Sequence, residues 1–110
     1  MDELFEVTWF QFENLIKGRV PFLLINHGAE ISNLFPVFHQ AHVNSIAKDL
    51  APEEVVSFVE SGKFPKHYAV LVLCPTGEIS SKTKSLLEQA GFNNVFYNSK
   101  GLTGLIAQKD

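Results

Sequence analysis

His67 to Cys74 (HYAVLVLC) is the most apolar run in the chain, and its reading decides the fold. Apolar residues stand at consecutive positions, so a strand built from them needs cover on both faces. That is the pattern of a strand buried inside a parallel sheet. Pro21 to Asn26 (PFLLIN) reads the same way. Leu4 to Thr8, His42 to Ala47 and Asn94 to Asn98 carry Val, Ile, Phe and Tyr at mixed spacing and are weaker strand candidates.

Helical patterns lie between these runs. Thr8 and Gln11 have capping-box spacing ahead of a helix through Lys17, with Phe12, Leu15 and Ile16 on one face and Gly18 as its stop. Pro52 opens a second helix, with Glu53 and Glu54 at the positive end of its dipole and Gly62 as terminator. Ser80 to Ala90 reads as a third, with Leu86, Leu87 and Ala90 toward a core, Lys82 and Lys84 toward solvent, and Gly91 beyond its end. Ile31 to Ala41 is ambiguous because Pro36 interrupts a helical pattern. Strands alternating with helices predict one α/β domain over residues 1–110, an open, mostly parallel sheet with helices on both faces.

Composition narrows the function. Of 110 residues, 45% are hydrophobic and 19% charged, which describes a globular chain. Twelve acids against nine bases, a formal charge of −3, argue against a nucleic-acid partner, because phosphate neutralisation needs surplus cations. No apolar stretch approaches the roughly 20 residues of a bilayer-spanning helix, so no membrane partner is expected. The acidic start, Met1 to Glu6, does not read as a secretory signal, and a cytoplasmic location is the expectation. Four histidines include His39 and His42, but zinc wants three or four ligands and Cys74 is the single cysteine. Metal binding is not expected, and His39 with His42 reads as a solvated or hydrogen-bonded pair. The aromatic residues, Trp9, Phe10, Phe12 and Phe35 among them, read mostly as core.

Chemistry concentrates at Cys74. Ligands of open parallel sheets bind beyond the carboxyl ends of the strands, and Cys74 ends the most apolar one. Pro75, Thr76, Gly77, Glu78, Ile79 and Ser80 follow, then the positive end of a helix. Gly77 gives the backbone freedom to turn amides inward, and Thr76 and Ser80 can add hydroxyl donors. A thiol in such a place has a lowered pKa, and the thiolate is the nucleophile. The competing reading is a buried cysteine closing a strand, a common fate of free cysteine. Asn26 and His27 end the neighbouring strand and are accessory candidates. A protonated His27 would add positive potential, while the plainer reading is a polar residue closing a strand.

Val70 to Leu102 (VLVLCPTGEISSKTKSLLEQAGFNNVFYNSKGL) resembles the second half of a single-domain rhodanese, the sulfurtransferase-like fold. Cys74, Gly77 and Ser80 fall on that family's Cys-x-x-Gly-x-x-Ser loop, Gly91-Phe92 on its helix stop, Val95 on its last strand and Lys100-Gly101 on its Gly-Gly turn. The resemblance implies sulfur transfer through a persulfide on Cys74, with a small sulfur donor, an external thiol, cyanide or protein acceptor, and no cofactor. Three departures point to a second class, a rhodanese-like binding or regulatory module with little turnover: Asn26 and Gly28 replace the family's usual Asp and Arg, Glu78 puts a negative charge into the loop, and the loop has no arginine. The retained Cys74 speaks against it. Leu105 also replaces a frequent Trp. Phosphoryl chemistry on the same fold uses an arginine six positions after the cysteine. Here that position is Ser80, which removes the bidentate clamp.

Overall fold

A computed structural model of the chain describes residues 6–18, 21–29, 31, 35 and 37–108. Among these, four strands form one all-parallel sheet: β1 (Leu23–Asn26), β2 (Ala47–Asp49), β3 (Val70–Leu73) and β4 (Val95–Tyr97), in the order β2-β1-β3-β4. Five helices cover it: α1 (Trp9–Lys17), α2 (Val37–Ile46), α3 (Pro52–Ser61), α4 (Glu78–Gln89) and α5 (Gly101–Gln108). The α/β architecture is therefore as the sequence predicts.

The double-sided apolar pattern of the central strands divides between two cores. Leu24, Leu71 and Leu73 pack with Phe12, Ile16, Val43, Leu102 and Leu105 from α1, α2 and α5. Leu23, Ile25, Val70 and Val72 pack with Val55, Val59 and Leu87 from α3 and α4. Trp9, stacked on Phe35 at 5.6 Å between ring centres, belongs to the first core, as does Phe12. Phe10 does not, being 69% exposed on the other side of α1.

Local rules account for the helix ends. Thr8 Oγ1 accepts from the Gln11 amide at 3.2 Å and Gln11 Oε1 accepts from the Thr8 amide at 2.9 Å, so the predicted capping box is formed. Pro52 begins α3, and Glu54 reaches back to the Ala51 amide at 2.8 Å.

Three expectations are corrected. His42 to Ala47 is not a strand: residues up to Ile46 belong to α2, and only Ala47 starts β2. Val43 and Ile46 are three apart, and that spacing puts both toward the first core from a helix. Leu4 to Thr8 yields only an isolated bridge from Glu6 to Tyr97, its first two residues lying outside the described ones. Lys84 is not in solvent but 5% exposed, its Nζ 2.7 Å from Glu88 Oε2 and above the Tyr97 ring.

Neighbouring strands set the site. The chain leaves β1 toward α2 on one face and leaves β3 toward α4 on the other, so neighbouring strand ends diverge into a crevice. This is the topological switch point at which open α/β sheets bind ligands.

Candidate functional site

Cys74 follows β3 directly and is 0% exposed. The chain then turns through Pro75, Thr76 and Gly77 into α4. Gly77 sits at φ +94°, the left-handed region, and precedes the helix without a side chain to cap it. The sulfur takes that office. Cys74 Sγ accepts from the Gly77 amide at 3.0 Å and from the Ser80 amide, in the first turn of α4, at 3.3 Å. Burial pushes the thiol pKa up, but the Ser80 hydroxyl and the amides of Ser80, Gly77 and Ile79 outweigh it, and the net direction is down. Of the expected loop, residues 75–80, Gly77 and Ser80 direct main-chain amides at the sulfur. Pro75 has no N–H, and the Thr76 side chain is exposed.

Ser80 is the most informative of the loop hydroxyls. It is 0% exposed, and its Oγ has no hydrogen-bond partner among the described residues. A buried orphan hydroxyl costs about 1–3 kcal/mol. Its O–H favours the charged form of the adjacent sulfur, so ionising Cys74 supplies the partner it lacks.

The other wall is the start of α5. The Leu102 amide donates to the Cys74 carbonyl at 2.8 Å, and the Thr103 amide and hydroxyl donate to the Pro75 carbonyl at 3.1 and 3.0 Å. Gly101, at φ +64°, lies so close that a β-carbon there would collide with the Cys74 carbonyl and the Thr76 and Gly77 amides. A β-carbon on Gly77 would collide with the Ser99 carbonyl. The two glycines let the loops press together, which fixes the direction of the amides. Periodicity and spacing give no sign of α5 or of this wall; the resemblance touches it at Lys100-Gly101 and at Leu105.

The accessory candidates are placed beside Cys74 but occupied elsewhere. The His27 amide donates to the Leu73 carbonyl at 2.7 Å. Its ring Nδ1 lies 2.6 Å from the Leu50 carbonyl, which can only accept, so Nδ1 carries the proton; Nε2 in the neutral ring accepts from Thr83 Oγ1 at 2.8 Å. Asn26 closes the turn after β1, its Nδ2 donating to the Ala29 carbonyl at 2.9 Å and its Oδ1 accepting from the Ala29 amide at 2.8 Å. His27 thus ties the end of β1 to the segment after β2 and to α4, while Asn26 closes its own loop. Glu78, the first residue of α4, is exposed, as is Ile79 at 41%.

The histidine pair is resolved in part. His42 Nε2 is buried without a partner among the described residues, and the His39 side chain lies outside them. Among the described residues no three His, Cys, Asp or Glu side chains come together as metal ligands, and no helix is long and apolar enough to cross a membrane. No protein-family model matches the chain, and no curated protein shows significant similarity to it.

Proposed function

We propose that the chain is a rhodanese-like sulfur carrier that moves sulfane sulfur through a persulfide on Cys74. The observation that carries this reading is the pair of main-chain amides converging on Sγ at 3.0 and 3.3 Å at the switch point of the sheet. In the first half-reaction the Cys74 thiolate attacks the outer sulfur of a sulfane donor. One S–S bond forms, the donor's S–S bond breaks, and the leaving group departs with its electron pair. In the second, an acceptor thiolate attacks the outer sulfur of the persulfide, and the Cys74 thiolate leaves. Neither half needs an added oxidant, reductant or cofactor.

The amides of Gly77, Ile79 and Ser80 and the Ser80 hydroxyl stabilise the sulfur anion in the resting enzyme and as the leaving group of the second step. A single cysteine in the chain leaves release to an external acceptor.

One observation favours a second reading. Sγ is fully buried and caps α4, which suits an inert thiol in a binding module. Intact mass separates the two. After incubation with inorganic polysulfide, the carrier gains the mass of one sulfur atom, loses it on addition of a thiol, and gains none as Cys74→Ser. A chain that stays at its starting mass while its donor is active on a control thiol is the binding module.

A further inference from the structure

A second crevice opens at the carboxyl ends of β1 and β2, on the face of the sheet that α2 covers. It is a cleft of about 550 Å3, within the roughly 300–1,000 Å3 of small-molecule sites. Gln40, Val43 and Asn44, at i, i+3 and i+4 of α2, form one wall. Gly28 and Phe35 line it from the segment after β1, and Asp49 lines it as the last residue of β2. The parallel register sets Asp49 beside Asn26 and on the same face as Ala47. Both amide groups of Asn26 are held by Ala29, whereas Asp49 is exposed and joins no ion pair among the described residues.

The lining defines the ligand. Asp49 is the one charged residue among the described ones that line the cleft, so a phosphate or carboxylate finds no cation there. A carboxylate only accepts, through two oxygens, and a neutral partner that engages both carries two adjacent hydroxyls. Position supports that partner. In open parallel sheets a carboxylate about 20 residues beyond the glycine turn of the first strand accepts from ribose, and Asp49 stands in that relation to Gly28, which turns at φ +87°. The pyrophosphate half of that arrangement is missing, because Gly28 is the single glycine from Asn26 to Asp49 where three would be needed. The carboxamides of Gln40 and Asn44 each carry donors and an acceptor, the pairing set of a heterocyclic base, and Phe35 and Val43 give its ring an apolar wall.

We propose that this cleft binds an unphosphorylated ribonucleoside, with its ribose diol on Asp49 and its base against Gln40 and Asn44. The site lies on the sheet face away from α4, whose amides meet Cys74, so it stands apart from the carrier reading.

Calorimetric titration of the full chain with adenosine, guanosine, cytidine and uridine is the test, with free ribose, the 2′-deoxynucleosides and the 5′-monophosphates alongside. At least one ribonucleoside is expected to bind, its 2′-deoxy form at least about ten-fold weaker through the lost hydrogen bond to a charged group, and its monophosphate no tighter. Asp49→Ala is expected to bring the ribonucleoside down to the level of the deoxy form, and Asn44→Ala to weaken both forms alike. Both residues are exposed, so thermal melts of the two variants should match the wild type and separate lost binding from lost fold. No binding of any ribonucleoside at millimolar concentration, equal binding of ribo and deoxy forms, or a preference that survives Asp49→Ala overturns the proposal. Tighter binding of the monophosphate, or free ribose binding as well as the nucleoside, overturns it too.

Discussion

The loops that follow β1 and β3 begin alike and end differently. Each leaves a fully buried four-residue strand, and each turns at a glycine with positive φ, Gly28 at +87° and Gly77 at +94°. After β1 the polar side chains close on themselves and on neighbours: both amide atoms of Asn26 meet Ala29, and both ring nitrogens of His27 have partners. After β3 the polar groups converge on a sulfur, and one of them, the Ser80 hydroxyl, is left without a partner. The first loop satisfies its hydrogen bonds in the resting fold. The second turns two amides on the sulfur and leaves one buried hydroxyl unsatisfied, and on that difference the proposed nucleophilic role of Cys74 rests.

The glycines break the comparison most sharply. A β-carbon on Gly28 meets nothing within 4 Å, so Gly28→Ala bears only the left-handed penalty, about 1–2 kcal/mol. Gly77→Ala bears the same penalty and also drives into the Ser99 carbonyl, so the two loops must separate. Chemical denaturation of the two variants is expected to show a loss for Gly77→Ala at least twice that for Gly28→Ala. Equal losses would mean that the contact between the cysteine loop and the start of α5 is easily relaxed.

Next in size is His27→Ala, which deprives the Leu50 carbonyl and Thr83 of their partner and is expected to cost about 2–3 kcal/mol. The reactivity of Cys74 with an alkylating reagent should keep its pH midpoint, because His27 acts on the fold and not on the sulfur. A shifted midpoint in the folded variant would restore His27 to the site.

Ser80→Ala has the smallest effect and the most telling sign. Below the thiol pKa it removes a buried orphan hydroxyl, so the variant should be more stable than the wild type, by about 1 kcal/mol. The folded thiol of the wild type has a lowered pKa, so the unfolded chain binds more protons and stability rises with pH between the folded value and about 8.5. Loss of the hydroxyl reduces that rise, and the advantage of Ser80→Ala should shrink as pH climbs through this window. Thermal melts across it give the check, and an advantage constant in pH would make Ser80 a mere packing residue.

Much of this arrangement was legible before any coordinates. The double-sided runs at Pro21–Asn26 and His67–Cys74 could only be central strands, and the position of Cys74 at one strand end followed from them. Gly77 was legible as the turning residue because it is the glycine nearest the thiol. The features without a sequence signal depend on distant partners. β2 is three residues, Ala47-Lys48-Asp49, too short and polar to carry a pattern, and it is a strand because β1 offers it hydrogen bonds. Two glycines in Gly101–Gln108 speak against a helix, yet the carbonyls of Cys74 and Pro75 receive its first amides and Leu102 and Leu105 bury against the sheet. Lys84 looked solvent-facing because its charge suggested so, but one turn beyond Ser80 it lies on the sheet side of α4, where Glu88 and Tyr97 receive its ammonium.

The central claim is that the β3 loop holds Cys74 as a thiolate, and its ultraviolet absorbance tests this most directly because the chain has one cysteine. The difference between wild type and Cys74→Ser, followed across pH, reports that sulfur alone and removes the tyrosine signal. A midpoint clearly below the ordinary value of about 8.5 is the predicted result, displaced upward in Ser80→Ala. A midpoint at or above that value, unmoved by Ser80→Ala, would show that the amides cap a helix and do nothing more.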